Sequence, residues 1–112
     1  MKNILFVAAL VLSLALPAAA EFEVVALAHE IALSNFRAPT THNGSLAFKE
    51  CSECETKSVR VTPNTEYVLN DRAVPLKEFR QALQKVRDRE EVAIIVLHHL
   101  ESDTVESVSV TI

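Results

Sequence analysis

Apolar and polar residues alternate along most of residues 45–74, which is typical of β-strands with one buried face. In the first such run, SLAFKE, Leu46 and Phe48 lie on the same side of the chain. Asn70 and Asp71 both tolerate positive φ, so we expect a two-residue hairpin turn there. The pattern predicts strands over residues 45–50, 58–62 and 65–69, with a short return at residues 72–74 that we count with the third strand.

A change of period follows Pro75, because apolar residues then recur every three or four positions. This spacing predicts one amphipathic helix over residues 76–88. The run VAIIVLHHL at residues 92–100 is apolar throughout and rich in β-branched residues, which predicts a central strand covered on both faces.

The last apolar segment, residues 104–112, alternates again and predicts a final strand. Val105 does not share the register of Val108 and Val110. A strand keeps its face only when its period is two, so we expect a β-bulge near Glu106 and Ser107.

The segment before residue 37 is ambiguous. Val24, Leu27, Ala28 and Ile31 recur at helical spacing in a stretch rich in alanine, which favours a helix within residues 22–36. Residues 28–33 also alternate and could form a strand. The segment RAPTTHNG at residues 37–44 has turn-forming composition and separates this N-terminal part from the β-rich region.

The order of elements from residue 45 onward is three strands, a helix and two strands. The predicted fold class is therefore α+β and mostly β. Two architectures share this order: a small five-stranded barrel like the oligonucleotide/oligosaccharide-binding fold, which we favour, and an open antiparallel sheet with one helix. Either would be preceded by an N-terminal helix or strand.

The first twenty residues have the composition of a secretory signal peptide, with Lys2, an apolar run over residues 4–16 and the sequence Ala-Ala-Ala at residues 18–20. The apolar run is shorter than the roughly 20 residues that a membrane-spanning helix needs. We expect cleavage before Glu21 and a bacterial protein that is periplasmic or secreted. The predicted organisation is a signal peptide at 1–20, an N-terminal segment and linker at 21–43, and a β-rich domain at 44–112.

The net negative charge of the chain argues against some classes of binding partner. Without Lys2 the formal charge becomes 10 − 15 = −5, because the whole chain has 11 Lys and Arg and 15 Asp and Glu. An acidic surface repels phosphate backbones and anionic lipids, so we expect neither nucleic-acid binding nor stable membrane insertion after cleavage. A periplasmic protein or a small molecule remains a possible partner.

The stretch KECSECETK at residues 49–57 contains both cysteines of the chain, Cys51 and Cys54. Thiols tend to oxidise in an exported protein, so we predict a disulfide between them. A reactive C-x-x-C pair needs a lowered thiol pKa, whereas Glu50, Glu53 and Glu55 would raise it. Thiol-redox chemistry is therefore the weaker interpretation of this pair.

The other titratable residues suggest no active site. Serines lack a nucleophile-elbow context, and a structural zinc site would need more ligands than one cysteine pair supplies. His98 and His99 are adjacent in a strand and should point to opposite faces. We predict no catalytic residues, no cofactor and no metal site, with one of the four histidines half-buried and three in solvent.

Several short motifs between residues 44 and 79 resemble those of uncharacterised small secreted proteobacterial proteins. These share G-x-L-x-F-x-x-C-x-x-C, then V-T-x-x-T-x-Y and V-x-L-x-x-F, with Asp71 here in place of an expected glycine. The resemblance implies secretion and a small β-rich fold, and it implies no activity. The matching positions are Gly44, Leu46, Phe48, Cys51, Cys54, Val61, Thr62, Thr65, Tyr67, Asn70, Val74, Leu76 and Phe79.

The sequence thus predicts a small secreted, non-enzymatic binding or accessory domain, stabilised by a Cys51–Cys54 disulfide, whose ligand is unknown. The competing hypothesis is a periplasmic thiol-redox or metal-handling protein that uses the same two cysteines.

Overall fold

The computed structural model describes residues 25–112. The predicted signal peptide and its cleavage site before Glu21 lie outside the described residues. Within residues 25–112, the single α-helix is too short and too polar to cross a membrane.

Eight strands and one α-helix make up the described chain, which confirms the α+β, mostly β fold class. The first strand is followed by a 3₁₀ turn, Leu33–Asn35, and the helix lies between the sixth and seventh strands. The elements are β1 Ala26–Ala32, β2 Phe36–Arg37, β3 Ser45–Phe48, β4 Lys57–Arg60, β5 Glu66–Leu69, β6 Arg72–Val74, α1 Leu76–Gln84, β7 Ala93–His99 and β8 Thr104–Val110.

All eight strands belong to one open sheet with the order β1-β7-β8-β4-β3-β2. β5 pairs with the second half of β8, and β6 pairs with β5. Most neighbours are antiparallel, but β4 and β5 both run parallel to β8. The open-sheet alternative is therefore the observed one, with two parallel pairings that the sequence did not predict.

The favoured barrel interpretation was wrong because the strand that would close the barrel is broken. β1 and β2 are the two ends of the strand order, yet they are consecutive in the chain. Buried Leu33 and the rest of the 3₁₀ turn separate them, so β1 pairs only with β7 and β2 only with β3. The sheet stays open, and His29 of β1 contacts Phe48 of β3 through its side chain, with ring centroids 5.0 Å apart.

The helix favoured for residues 22–36 was also wrong, and the alternating strand was right. Ile31 is buried and His29 is largely buried, whereas Ala28 and Glu30 are exposed. β1 pairs with β7 in an unbroken register of seven residues. The alanines favour a helix by only a few tenths of a kcal/mol each, and tertiary pairing outweighs such a preference.

α1 covers one face of the sheet through Leu76, Phe79 and Leu83, all nearly inaccessible to solvent. It ends at Gln84, four residues before the predicted end. The Arg89 guanidinium donates a 2.7 Å hydrogen bond to the Leu83 carbonyl oxygen. A side chain thus satisfies a carbonyl that a further helical turn would have used.

β7 lies between β1 and β8, as predicted for a central strand, but only one of its faces is covered. Ile94 and Val96 are fully buried, whereas Ile95 on the opposite face is 43% exposed. The expectation that the strand is covered on both sides was therefore wrong. An apolar run shows that a strand can be buried, but the number of packed layers decides whether both faces are.

Two local predictions are confirmed. Asn70 and Asp71 have φ values of 52° and 70° and form the turn between β5 and β6. In the β7–β8 pair, Ser107 lies opposite Leu97 and Val105 lies opposite His98, so Glu106 is the extra residue of a bulge. The bulge brings Val105 back to the buried face.

Candidate binding cleft

A cleft of about 390 Å³ lies where β1 and the end of β3 approach each other without pairing. We call it the histidine cleft, because His29 of β1 and His98 of β7 form one side of it. Its other walls come from the apolar side chains of Phe48, Val59, Leu27 and Leu100 and from the polar residues Lys57, Ser58 and Asp103. The cleft is therefore lined by residues of β1, β3, β4 and β7 and of the turn after β7.

His29 is fixed from two sides. Its Nδ1 atom lies 2.9 Å from Glu50 Oε2, and its ring packs against the Phe48 ring at a centroid distance of 5.0 Å. The side chain is only 14% exposed. An imidazole held by both a carboxylate and an aromatic ring has little rotational freedom, so its second ring nitrogen has a defined position.

His98 is also held by a carboxylate, which comes from the turn that follows β7. Its Nε2 atom lies 2.8 Å from Asp103 Oδ1, and its side chain is 17% exposed. Asp103 adopts a φ of 59°, a left-handed conformation that aspartate tolerates better than most residues. Asp103 thus lies in the turn between β7 and β8, and this turn places its carboxylate next to the His98 ring.

The two imidazole rings are neighbours, with centroids 6.0 Å apart. In the β1–β7 register His98 lies directly opposite Leu27, so His29 is its diagonal neighbour on the same face. A carboxylate only accepts hydrogen bonds, so in each neutral ring the nitrogen that faces the carboxylate carries the proton. In the neutral form of each ring, this leaves His29 Nε2 and His98 Nδ1 as hydrogen-bond acceptors.

Glu50 connects the histidine cleft to the loop between β3 and β4. Lys57 Nζ donates a 3.2 Å hydrogen bond to the same Glu50 oxygen that faces His29. This hydrogen bond and the charge of Lys57, with a smaller contribution from His29, lower the pKa of Glu50. Glu50 therefore stays ionised at neutral pH and acts as an acceptor for both neighbours.

The structure contains the predicted disulfide between Cys51 and Cys54, directly after Glu50. The Cα atoms are 5.0 Å apart, and the Cys54 N–H donates to the Cys51 carbonyl oxygen at 3.1 Å. Both cysteines are exposed and lie in a turn between two strands, as the sequence predicted. The disulfide closes a turn in the loop between Glu50 and Lys57.

The sequence did not reveal this site. It predicted one half-buried histidine and three in solvent, whereas His29, His98 and His99 are all partly buried and His42 is exposed. His29 and His98 are 69 positions apart in the chain, and only the β1–β7 pairing makes them neighbours. Within residues 25–112, no group of three or more histidine, cysteine, aspartate or glutamate side chains is arranged to hold a metal ion.

No family model, curated protein or solved structure matches this chain. Function is therefore inferred from the geometry of the histidine cleft and of the loop beside it.

Proposed function

We propose that the protein is a secreted, periplasmic and non-enzymatic domain that binds a small ligand in the histidine cleft. The observation that carries the proposal is the pair of carboxylate-anchored histidines, His29 and His98, whose rings lie 6.0 Å apart in one cleft. Fixing two largely buried imidazoles with two separate carboxylates costs side-chain entropy. We infer that this cost is offset by binding, because two fixed imidazoles can form hydrogen bonds with a ligand without further ordering.

The size and lining of the cleft support a small ligand. A volume of about 390 Å³ lies in the range of roughly 300–1,000 Å³ that is common for small-molecule sites. Phe48 and Val59 supply an apolar wall, and each histidine in its neutral form supplies one acceptor nitrogen. The ammonium group of Lys57 already donates to Glu50. The ligand that fits is a molecule with an apolar body and hydrogen-bond donors, such as an amine or an alcohol.

The disulfide has a supporting role in this proposal. It lies in the loop that carries Glu50 and Lys57, and Glu50 in turn holds His29. The competing hypothesis assigns the chemistry to the sulfurs themselves, as a redox or metal centre. The surroundings favour the supporting role, since the pair lies at an exposed turn and not at a helix N-terminus.

Histidine-selective NMR tests binding at the cleft. We expect benzylamine, which has an apolar ring and a cationic donor, to shift the ring signals of His29 and His98 with saturation. Benzoate has the same ring and an anionic acceptor, and we expect it to shift them much less. His42 is exposed and away from the cleft, so its signal is the internal control. Equal, unsaturated shifts of all histidines with both compounds would contradict the proposal.

Thiol counting and elemental analysis test the competing hypothesis on protein purified from the periplasm of a bacterial host. We expect no reactive thiol before reduction, two after it, and no bound metal. N-terminal sequencing of the same sample should begin at Glu21. A reduction potential close to that of periplasmic oxidants, or one equivalent of metal, would favour redox or metal handling, and a cytoplasmic, uncleaved chain would contradict secretion.

A further inference from the structure

A separate cavity of about 190 Å³ lies between β2, the second half of α1 and the segment that follows the helix. It shares no residue with the histidine cleft. Three arginines line it, one from each of these parts of the chain: Arg37, Arg80 and Arg89. Its apolar lining comes from Phe36, Ala38 and Leu83. We call it the arginine cavity, and no acidic residue of the described chain lines it.

Arg89 is held at this cavity through both its backbone and its side chain. Its carbonyl oxygen accepts a 3.2 Å hydrogen bond from the Ser34 N–H, and its guanidinium donates a 2.7 Å hydrogen bond to the Leu83 carbonyl oxygen. A guanidinium carries several N–H donors, and this bond uses one of them. Arg80 is half-buried on α1, and Arg37 is exposed at the end of β2. At least one of the three cationic groups is therefore already ordered.

The three positive charges are not balanced by carboxylates. Within residues 25–112, no carboxylate oxygen lies within 4.0 Å of any of the three guanidinium groups. The acidic residues next to Arg89 in the chain line a different depression: Asp88, Glu90 and Glu91. Like charges around one small volume repel each other, and an anion placed between them is attracted by all three. The local field of a cavity depends on the charges that line it, so the net negative charge of the chain does not prevent this attraction.

We propose that the arginine cavity binds a doubly charged phosphate group. A guanidinium presents its N–H donors in a planar fork that matches two oxygens of a phosphate. At roughly 30 Å³ for each non-hydrogen atom, a cavity of about 190 Å³ has room for about six of them, which is enough for one phosphate group. Free inorganic phosphate and the phosphate monoester of a small organic molecule both present such a group. In a monoester, the apolar lining from Phe36 and Leu83 would contact the organic part.

Isothermal titration calorimetry tests the site on the full chain, purified after expression and export. The titrations are made at constant ionic strength and at about pH 8, where phosphate groups are mostly doubly charged. We expect saturable binding of inorganic phosphate and of phenyl phosphate. Tighter binding of phenyl phosphate would identify a monoester as the ligand, and tighter binding of inorganic phosphate would identify the free ion. A protein that is saturated by neither compound would overturn the proposal.

Arg80→Gln and Lys77→Gln form a matched pair, because each removes one positive charge from α1 and only Arg80 lines the cavity. We expect Arg80→Gln to weaken phosphate binding about tenfold, since a hydrogen bond between charged groups is lost. Lys77→Gln should stay within about twofold of wild type, because salt screens an exposed charge outside the cavity. Arg37→Gln should weaken binding like Arg80→Gln. It changes an exposed side chain, so it keeps the test decisive if circular dichroism shows that Arg80→Gln is unfolded.

Two further results distinguish this site from general charge attraction and from the histidine cleft. Arg80→Lys keeps the charge and loses the planar fork, so we expect binding about threefold weaker than wild type. The ring signals of His29 and His98 should not move when phosphate saturates the protein, because the two sites share no residue. Equal weakening by Arg80→Gln and Lys77→Gln would overturn the proposal. So would histidine shifts that saturate together with the calorimetric signal, since they would assign the phosphate to the histidine cleft.

Discussion

The two ends of this open sheet are covered in different ways. At the end near β5, α1 packs Phe79 against Tyr67, with ring centroids 5.3 Å apart and both side chains nearly inaccessible to solvent. At the end near β1, no α-helix covers the sheet in the described chain. His29 and His98 lie there with their carboxylate partners, and the disulfide-closed turn directly follows Glu50. The hydrophobic layer at the first end excludes water and gives stability, whereas the polar groups at the second end leave a cleft with fixed hydrogen-bonding groups. We call these the hydrophobic end and the polar end.

The largest expected effect is a loss of stability when the packing at the hydrophobic end is disrupted. Phe79→Ala removes a fully buried ring and should lower the free energy of unfolding by about 3–5 kcal/mol. Lys77→Ala, on the exposed side of the same helix, should change it by less than about 0.5 kcal/mol. Urea denaturation measures both. A loss below about 1 kcal/mol for Phe79→Ala would show that α1 is not the main stabilising layer.

The next largest effect is expected from removing the disulfide at the polar end. Replacing both Cys51 and Cys54 with serine removes a bridge that closes a very short loop, and we expect a loss of about 2 kcal/mol on the chain-entropy account. The loop would also hold Glu50 less firmly, so the His29 ring signal in NMR should move towards that of His42. Wild-type protein under reducing conditions should match the variant. Lost stability with an unchanged His29 signal would separate the disulfide from the cleft.

A smaller change in stability is expected when the Tyr67 hydroxyl is removed from the hydrophobic end. The Tyr67 hydroxyl is buried without a hydrogen-bond partner in the described chain, and burial raises the pKa of Tyr67 above its ordinary value of 10.0. We expect Tyr67→Phe to keep or increase stability by up to about 1 kcal/mol, because it removes an unsatisfied polar group.

The pH dependence of the same variant provides a second measurement. A raised pKa in the folded state contributes stability that is fully present below pH 10 and is lost as the pH rises through the folded-state pKa. Wild type should therefore lose stability at alkaline pH faster than Tyr67→Phe. Parallel alkaline denaturation curves would show that Tyr67 ionises without cost.

The smallest effect is expected from the ionised Glu50 carboxylate at the polar end, in the pH dependence of stability. Lys57, and then His29, lower the pKa of Glu50, so its stabilising contribution is present above about pH 4.5 and is lost as the pH falls through its folded-state pKa. Thermal unfolding from pH 6 to pH 3 should show a smaller acid-induced fall in melting temperature for Glu50→Gln than for wild type. Glu53→Gln, in the same exposed loop, should behave like wild type. The opposite ranking would show that Lys57 does not pair with Glu50 in solution.

Much of the fold could be predicted from local patterns. The strands from residue 45 onward, the hairpin turn at Asn70 and Asp71 and the bulge at Glu106 depend on alternation and on backbone preferences that neighbouring residues already express. The disulfide could be predicted because the chain has only two cysteines, and thiols tend to oxidise in an exported protein, as this one is expected to be. The predicted helix was right in its start and too long at its end, where Arg89 takes over a helical carbonyl.

The site could not be predicted from local patterns. His29 and His98 each resemble an isolated polar residue in an otherwise apolar strand, and nothing near either one in the chain indicates a partner. Glu50 and Asp103 belong to two different loops, so the two pairs depend on strand pairing across the whole domain. A histidine considered without its tertiary neighbours is typical of a solvated residue, and that is why most of the four were assigned to solvent.

The sequence by itself determined which segments could become strands or a helix and which residues would need burial, since these depend on side-chain chemistry and period. Only the tertiary structure decided that residues 26–32 form a strand, that the sheet stays open, and that one face of β7 remains uncovered. These outcomes depend on long-range pairing energies that outweigh local preference. They are also what brings His29 and His98 together in one cleft.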